Sequence, residues 1–335
     1  MELKIILNKL IIIMPKIKPL FKQLLFFFIK KINIELKKRN YLIIYRQGNA
    51  VGDQICMTGI ISKIYKKNLK IIVFSNYTEL FKNNPKISKI YNLNNFFNKH
   101  ILLKILNIFE GDSIKSYTTK IWDTDKYTFM KFRPRNIHYG LAHALHFDMN
   151  LNSDVFKNEI YFSDKEIIDY KKKFNFQKQY AVIHSESKRT FTKNKDWGPE
   201  KIQNVVNKFD KINWIQVGKP GEFILKNTLK CYFNISLREL AFIISNSDFL
   251  VCMEGMFNHM ASAFNKKNFL IHAGFSTVES CQYPNNILIE NNSKLKCYPC
   301  FSFDCIEHKK HCDENLTSDY AINIIKKNLD ASTNV

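Results

Sequence analysis

The sequence predicts an α/β protein built from two Rossmann-like units. Strand–helix alternation runs from about residue 41 to 93, then restarts at 180 and continues to 272. Alternation of this kind closes into a parallel sheet with helices on both faces. The 335 residues suffice for two ordinary domains. With 45% hydrophobic and 24% charged residues, the chain is neither a disordered tail nor a membrane channel.

The first 40 residues stand apart, with ten basic and two acidic residues. Pro15 and Pro19 break any early helix. Leu20–Leu36 reads as a basic amphipathic helix. It either lies on an anionic leaflet or packs on the first domain with its lysines in water. Ile5–Pro15 is apolar, but Lys9 interrupts it and no small-residue cleavage site follows, so no signal peptide is expected. No uncharged apolar run approaches the roughly 18–20 residues of a membrane span. The expected location is the cytoplasm, at the inner face of the membrane.

Tyr41–Tyr45 reads as a short buried strand and Arg46–Asp53 as a turn containing Gly48 and Gly52. Gln54–Lys67 follows as a helix with Ile55, Ile60, Ile61 and Ile64 on its apolar face. A strand at Lys70–Ser75, a short helix at Tyr77–Lys82 and a strand at Lys89–Leu93 continue the pattern. Residues 95–160 are aromatic and less regular, with a helix expected at Tyr139–Phe147. The second run has strands at Tyr180–His184, Asn213–Val217, Asp248–Cys252 and Asn268–His272. Its helices are Pro199–Phe209, Leu237–Ser245 and Asn258–Phe264, and Thr317–Leu329 closes the chain as an amphipathic helix. The expected organisation is a basic segment (1–40), a first unit (41–165), a second unit (166–316) and a closing helix and tail (317–335).

The net charge of +21 points to an anionic partner. Codon bias gives the same picture, because only 6 of the 51 basic residues are Arg and Lys, Ile and Asn abound. The excess is +8 in residues 1–40, +8 in 41–160 and +5 in 161–335. Recognition helices and RNA-binding fingerprints are lacking, so no nucleic-acid partner is expected.

Three strand–loop–helix motifs carry candidate chemistry. The first, Gly48-Asn-Ala-Val-Gly-Asp53, lacks both the dinucleotide and the P-loop glycine patterns. Asp53 stands either as a reactive carboxylate at the carboxyl end of a strand or as a helix N-cap. The second, His184–Glu200, is a polar loop opening a helix. Ser185, Ser187, Thr190, Thr192, Lys193 and Lys195 there suit a diphosphate, or the segment is a solvated loop. The third, Val251–Ala263, puts Glu254, Gly255 and His259 at another strand end.

In this order the motifs resemble glycosyltransferase family 9, the ADP-heptose:lipopolysaccharide heptosyltransferases, over about residues 41–329. The family's G-D after the first strand is matched by Gly52-Asp53, and its K-x-W-P segment by Lys195-Asp-Trp197-Gly-Pro199 with one extra residue. Its [D/E]-x-G-x-x-H-[L/M]-x-x-A motif is matched roughly by Glu254-Gly-Met-Phe-Asn-His259-Met-Ala-Ser-Ala263. Ser236–Asp248 and Cys297-Tyr-Pro-Cys300 also look like the family. Met256 replaces a usual glycine, and Glu254 stands where many members carry Asp.

The resemblance implies a GT-B fold, two Rossmann-like domains facing across a cleft, and an inverting transfer without a catalytic metal. The acceptor, an anionic lipid-linked oligosaccharide, is expected in the N-terminal domain and the nucleotide-sugar donor in the C-terminal one. Asp53 looks like the general base and Lys195 like the counter-charge to the leaving diphosphate. Glu254 is expected to bind donor sugar hydroxyls, with Gly255 and Ser185 beside the donor. His259 either touches the diphosphate or holds the loop. Gly218 marks the loop facing the nucleotide, and Glu222 is expected on a ribose hydroxyl. Arg46, Arg133 and Arg135 are expected to meet the acceptor. Met256 and the basic N-terminus keep a second reading open, a catalytically silent membrane-surface scaffold, and Glu254 leaves room for another donor sugar.

Cys297, Cys300, Cys305 and Cys312 fall within 16 residues. They offer a tetrahedral structural site for zinc or iron, although the spacing is not that of a zinc ribbon. Reduced thiols and disulfides are the alternatives, the latter disfavoured in the cytoplasm.

Overall fold

The computed structural model describes residues 21–333 except 47, 49, 97, 118–137, 139, 141–156, 177, 188–191, 303, 306 and 308–310, and no side chains of 21–28, 311, 313, 332 or 333. Arg133, Arg135, Thr190 and the helix expected at Tyr139–Phe147 lie outside the described residues. The chain divides into two compact units, one within residues 1–123 and 140–152, the other within 124–139 and 153–335.

In the first unit, helix α1 (Phe21–Lys38) leads into β1 (Tyr41–Tyr45), α2 (Val51–Ile64), β2 (Lys70–Ser75), β3 (Ile87–Asn92), α3 (Lys99–Ile108) and β4 (Ile114–Ser116). The strands are wholly parallel in the order β3-β2-β1-β4. β1 and β2 are nearly unbroken apolar runs because helices cover both sheet faces. Ile43, Tyr45, Ile72 and Phe74 meet Leu102, Ile105 and Phe109 in one core.

α1 also belongs to this core. Ile29 is buried, and Ile32 and Leu36 pack against the same cluster. Asn33 Nδ2 donates to the Phe109 carbonyl at 2.9 Å. From Ile29 onward the apolar face is therefore covered by the domain itself, the packed alternative of the two, with Lys30, Lys31, Lys37 and Lys38 left in water. Among the described residues, no helix is long and apolar enough to cross a membrane.

The second unit comprises α4 (Asp164–Phe174), β5 (Ala181–Ile183), α5 (Pro199–Lys208), β6 (Trp214–Val217), β7 (Lys230–Tyr232), α6 (Leu237–Asn246), β8 (Phe249–Met253), α7 (Met256–Ala263), β9 (Lys267–Ile271), β10 (Asn286–Ile289), α8 (His311–Asn315) and α9 (Ser318–Thr333). Its parallel sheet has the order β10-β9-β8-β5-β6-β7, the doubly wound Rossmann order. Capping boxes start α4 (Ser163 with Glu166) and α6 (Ser236 with Glu239). α9 buries Ile322 and Ile325 in the same core as Trp197, Trp214, Val251 and Phe269. The final helix is thus part of the second unit, and so is the stretch from 153 to 165.

Candidate active site

In a doubly wound sheet, the crevice for ligands opens where consecutive strands leave in opposite directions from the first. In the first unit that point lies between β1 and β4, and in the second between β5 and β8. Asp53 follows β1, Ser185 follows β5 and Glu254 follows β8, so all three motifs reach a switch point.

In the first unit, Gly48 takes a φ of 92°, a left-handed turn that favours glycine, and α2 starts at Val51. Ala50 is the N-cap residue, so the capping alternative for Asp53 does not hold. Asp53 sits in the first helical turn, where a negative charge suits the helix dipole. Its carboxylate Oδ2 is ion-paired with Arg46 Nη2. Arg46 Nη1 donates to the Tyr117 carbonyl at 3.1 Å, and the Arg46 side chain is buried. Arg46 is therefore directed at Asp53 and β4, not outward to an acceptor as expected from sequence. Tyr117 is buried, which pushes its phenol well above the usual range, with Cys56 and Asp53 adding to the rise. Its neutral hydroxyl donates to the Gly140 carbonyl at 3.0 Å.

In the second unit, the loop after β8 meets the loops after β5 and β9. Glu254 is almost wholly enclosed, its side chain 2% exposed. Oε1 lies 3.3 Å from Lys195 Nζ. Oε2 accepts from the Ser276 hydroxyl, with His272 Nε2 at 3.8 Å. Lys195 Nζ also sits 4.6 Å from the Phe275 ring centre. Burial lowers the pKa of His272, keeping it neutral, and its Nδ1 has no hydrogen-bond partner among the described residues. The two residues expected on sugar and diphosphate are thus one ion pair.

Lys195 is placed by its neighbours. Thr192 caps a single 3-10 turn over Lys193–Lys195, and Asp196 Oδ1 accepts from the Ser187 N–H at 3.0 Å. Buried Trp197 donates from Nε1 to the Leu316 carbonyl at 2.6 Å. Gly198, at φ 96°, then turns the chain into Pro199, the first residue of α5.

Gly255, at φ 143°, lets the chain turn straight into α7. The helix N-terminus so presented suits an anion. His259 lies inside this helix, Nδ1 2.6 Å from the Tyr283 hydroxyl. Asn158 Nδ2 donates to the His259 carbonyl, Ser262 Oγ and Tyr283 Oη at 2.8–3.0 Å. His259 is thereby tied to Tyr283 and Asn158.

Ser185 is fully buried, donating to the Phe223 carbonyl and accepting from Gln216 Nε2, both at 3.0 Å. Its hydroxyl ties β5 to the loop after β6, so donor contact by this group is not what the structure shows. Glu222 Oε2 lies 3.4 Å from His184 Nε2, and the His184 ring lies tilted against Phe257, centroids 4.1 Å apart. Gly218 is needed for space, because a Cβ there would overlap Glu222 Oε2 and press on Phe233.

Sequence reasoning missed His272, Ser276, His184, Tyr283 and Asn158. Gly274, with φ 102°, marked the strand-end loop that carries Ser276 and was the available signal. The other contacts are tertiary and leave no local pattern.

Cys297, Cys300, Cys305 and Cys312 form no disulfide and line one cavity of about 30 Å³ together with Asn194 and Gly274. The four supply the soft thiolate donors that zinc or iron takes. The cysteine segment is laced to the Lys195 loop, since Asn194 Nδ2 donates to the Ser302 carbonyl at 2.9 Å. Glu254, His272 and Cys281 form a second, tighter cluster, with ligating atoms within 4.8 Å of one another. There Lys195 already balances the carboxylate, and burial pushes the Cys281 thiol well up, so that set is neutral without a metal.

No family profile matches the sequence, and no curated protein matches it. Solved structures do. A family 9 glycosyltransferase from Veillonella parvula superposes with a TM-score of 0.60 at 10% identity, covering 86% of this chain and 97% of the other. The Escherichia coli ADP-heptose lipopolysaccharide heptosyltransferase II gives 0.61 at 10% identity, covering 87% and 99%. The iron-containing glycosyltransferase TibC of enterotoxigenic E. coli gives 0.60 at 13% identity, covering 86% and 76%. The chain has the fold of a two-domain glycosyltransferase. Within that fold, the structures it resembles include the family 9 enzyme and both E. coli proteins.

Proposed function

We propose that the chain is an inverting glycosyltransferase moving a heptose or related sugar from an ADP-sugar to an anionic, lipid-linked core oligosaccharide at the cytoplasmic face of a membrane. The supporting observation is the placement of Asp53 at one switch point and of Lys195 with Glu254 at the other, in a heptosyltransferase-like fold. Asp53 takes the proton of the acceptor hydroxyl as its oxygen attacks the anomeric carbon. The bond from that carbon to the diphosphate oxygen breaks, and ADP leaves with the electron pair. Lys195 turns from Glu254 to the departing diphosphate, assisted by the N-terminus of α7, while Glu254 accepts from sugar hydroxyls. No step of this transfer calls on a metal. Arg46 positions Asp53, and Glu222 with His184 lies at the nucleotide. The four cysteines hold a structural zinc or iron that braces the Lys195 loop.

A donor screen tests this reading. Purified protein is offered ADP-heptose, UDP-sugars and GDP-sugars, with release of nucleoside diphosphate as readout and Asp53→Ala in parallel. Turnover with ADP-heptose, lost in Asp53→Ala, is expected. Failure to bind any sugar nucleotide overturns the proposal.

A further inference from the structure

We propose that the first unit carries a second anion site, for a phosphate-bearing ligand, at the amino-terminal ends of its strands. An open cleft of about 430 Å³ lies there, lined by Arg39, Lys67, Lys70 and Lys86 with Tyr65 and Asn68 as neutral hydrogen-bonding neighbours. No carboxylate lines it. Lys70 is the first residue of β2, Lys86 immediately precedes β3, and Arg39 lies two residues before β1. Asp53 follows the opposite end of β1. Five residues at about 3.3 Å each put the two ends roughly 15 Å apart, so a ligand in this cleft is no substrate of Asp53.

The basic groups are braced. Lys86 Nζ donates to Ser62 Oγ at 2.6 Å, and Lys70 Nζ stands 5.2 Å from the Tyr41 ring centre. Arg39 Nε is held by Glu35 Oε1 at 2.7 Å. Glu35 and the carboxyl ends of α1 and α2 offset part of the positive charge. Four cations around one concavity exceed that offset, and a cleft in a low-dielectric wall concentrates their field. Ammonium and guanidinium groups beside amide and phenol donors suit phosphate oxygens. The ligand is a phosphodiester headgroup of an anionic lipid or a soluble phosphate compound. The inference does not rest on the transfer reaction.

The full chain is titrated with inorganic pyrophosphate by calorimetry and sedimented with phosphatidylglycerol or phosphatidylcholine vesicles. Two charge-reversal pairs are compared, Lys67→Glu with Lys70→Glu in the cleft and Lys171→Glu with Lys172→Glu on α4. Lys67→Ala with Lys86→Met removes charge without reversing it and serves if the first pair misfolds. Saturable binding weakened about tenfold by the cleft pairs, and less than about twofold by the α4 pair, is expected. Pyrophosphate binding identifies a soluble ligand, and binding confined to phosphatidylglycerol vesicles identifies a lipid headgroup. Equal loss in both sets of variants, or no binding of either probe, overturns the proposal. Turnover in detergent is unchanged in the cleft variants, which separates this site from the transfer site.

Discussion

Lys195 and Glu254, from loops after different strands, form an ion pair of 3.3 Å in which the carboxylate is enclosed and the ammonium is partly open. The pair balances a buried charge and, on the proposed reading, offers a ready cation to a bound donor. Lys195→Ala should reduce kcat by about 10²–10³, the range found when a donor to a developing negative charge is removed. Glu254→Gln keeps the shape and should raise the donor KM more than it lowers kcat. Steady-state kinetics on the two variants separate these effects.

Asp53 and Arg46 should fail differently. Asp53→Asn is expected to lower kcat by about 10²–10⁴ with donor affinity intact, as for loss of a general base. Arg46→Ala removes one donor from the Tyr117 carbonyl and the ion pair from Asp53. It should cost about 2–3 kcal/mol, below the range for a fully buried pair because Asp53 is partly open. Urea unfolding measures that loss.

Gly218→Ala tests a steric claim. The added Cβ meets the flexible end of Glu222 and the side chain of Phe233, so stability should fall by only about 1 kcal/mol. Glu222 must swing away from His184, and nucleotide affinity should change. Thermal melting with ADP titration shows whether the two effects separate.

The second unit should lose stability in acid through Glu166. Burial pushes this carboxyl up, but hydrogen bonds from Arg238, then from Ser163, pull it down to about 2 from 4.5. A lowered folded-state pKa gives stability that is present above pH 4.5 and disappears as pH falls toward 2. Glu166→Gln should flatten that acid limb in a pH series of urea midpoints.

The cysteine cavity makes a metal prediction. Protein purified without chelator should carry one zinc or iron per chain by elemental analysis. Cys300→Ser should lose it and weaken donor binding, through Asn194 and the Lys195 loop.

The paired runs of strand and helix were legible because β1, β2, β6, β8 and β9 are short apolar stretches ended by polar turns. Three-residue strands such as β4 and β7 give no periodicity to read, and β10 lies in an asparagine-rich stretch. α3 has a clear apolar face, Leu102, Ile105 and Leu106, but sits in the aromatic middle where no pattern was drawn. The spacing in α1 revealed an amphipathic helix, but not that the core of the first unit covers its apolar side. The site was legible as strand ends. Direction was not: Arg46 turns inward, Ser185 faces a carbonyl, and Ser276 joins Glu254 through contacts distant in sequence.

The Trp197–Leu316 hydrogen bond has a consequence for synthesis. The indole that anchors the Lys195 loop waits for a carbonyl 119 residues downstream, and α9 packs into the same core as that indole. The second unit therefore cannot set its Lys195 loop before Leu316 is in place. The first sheet can form earlier, and the lysine loop takes its final place only after Leu316 has been made.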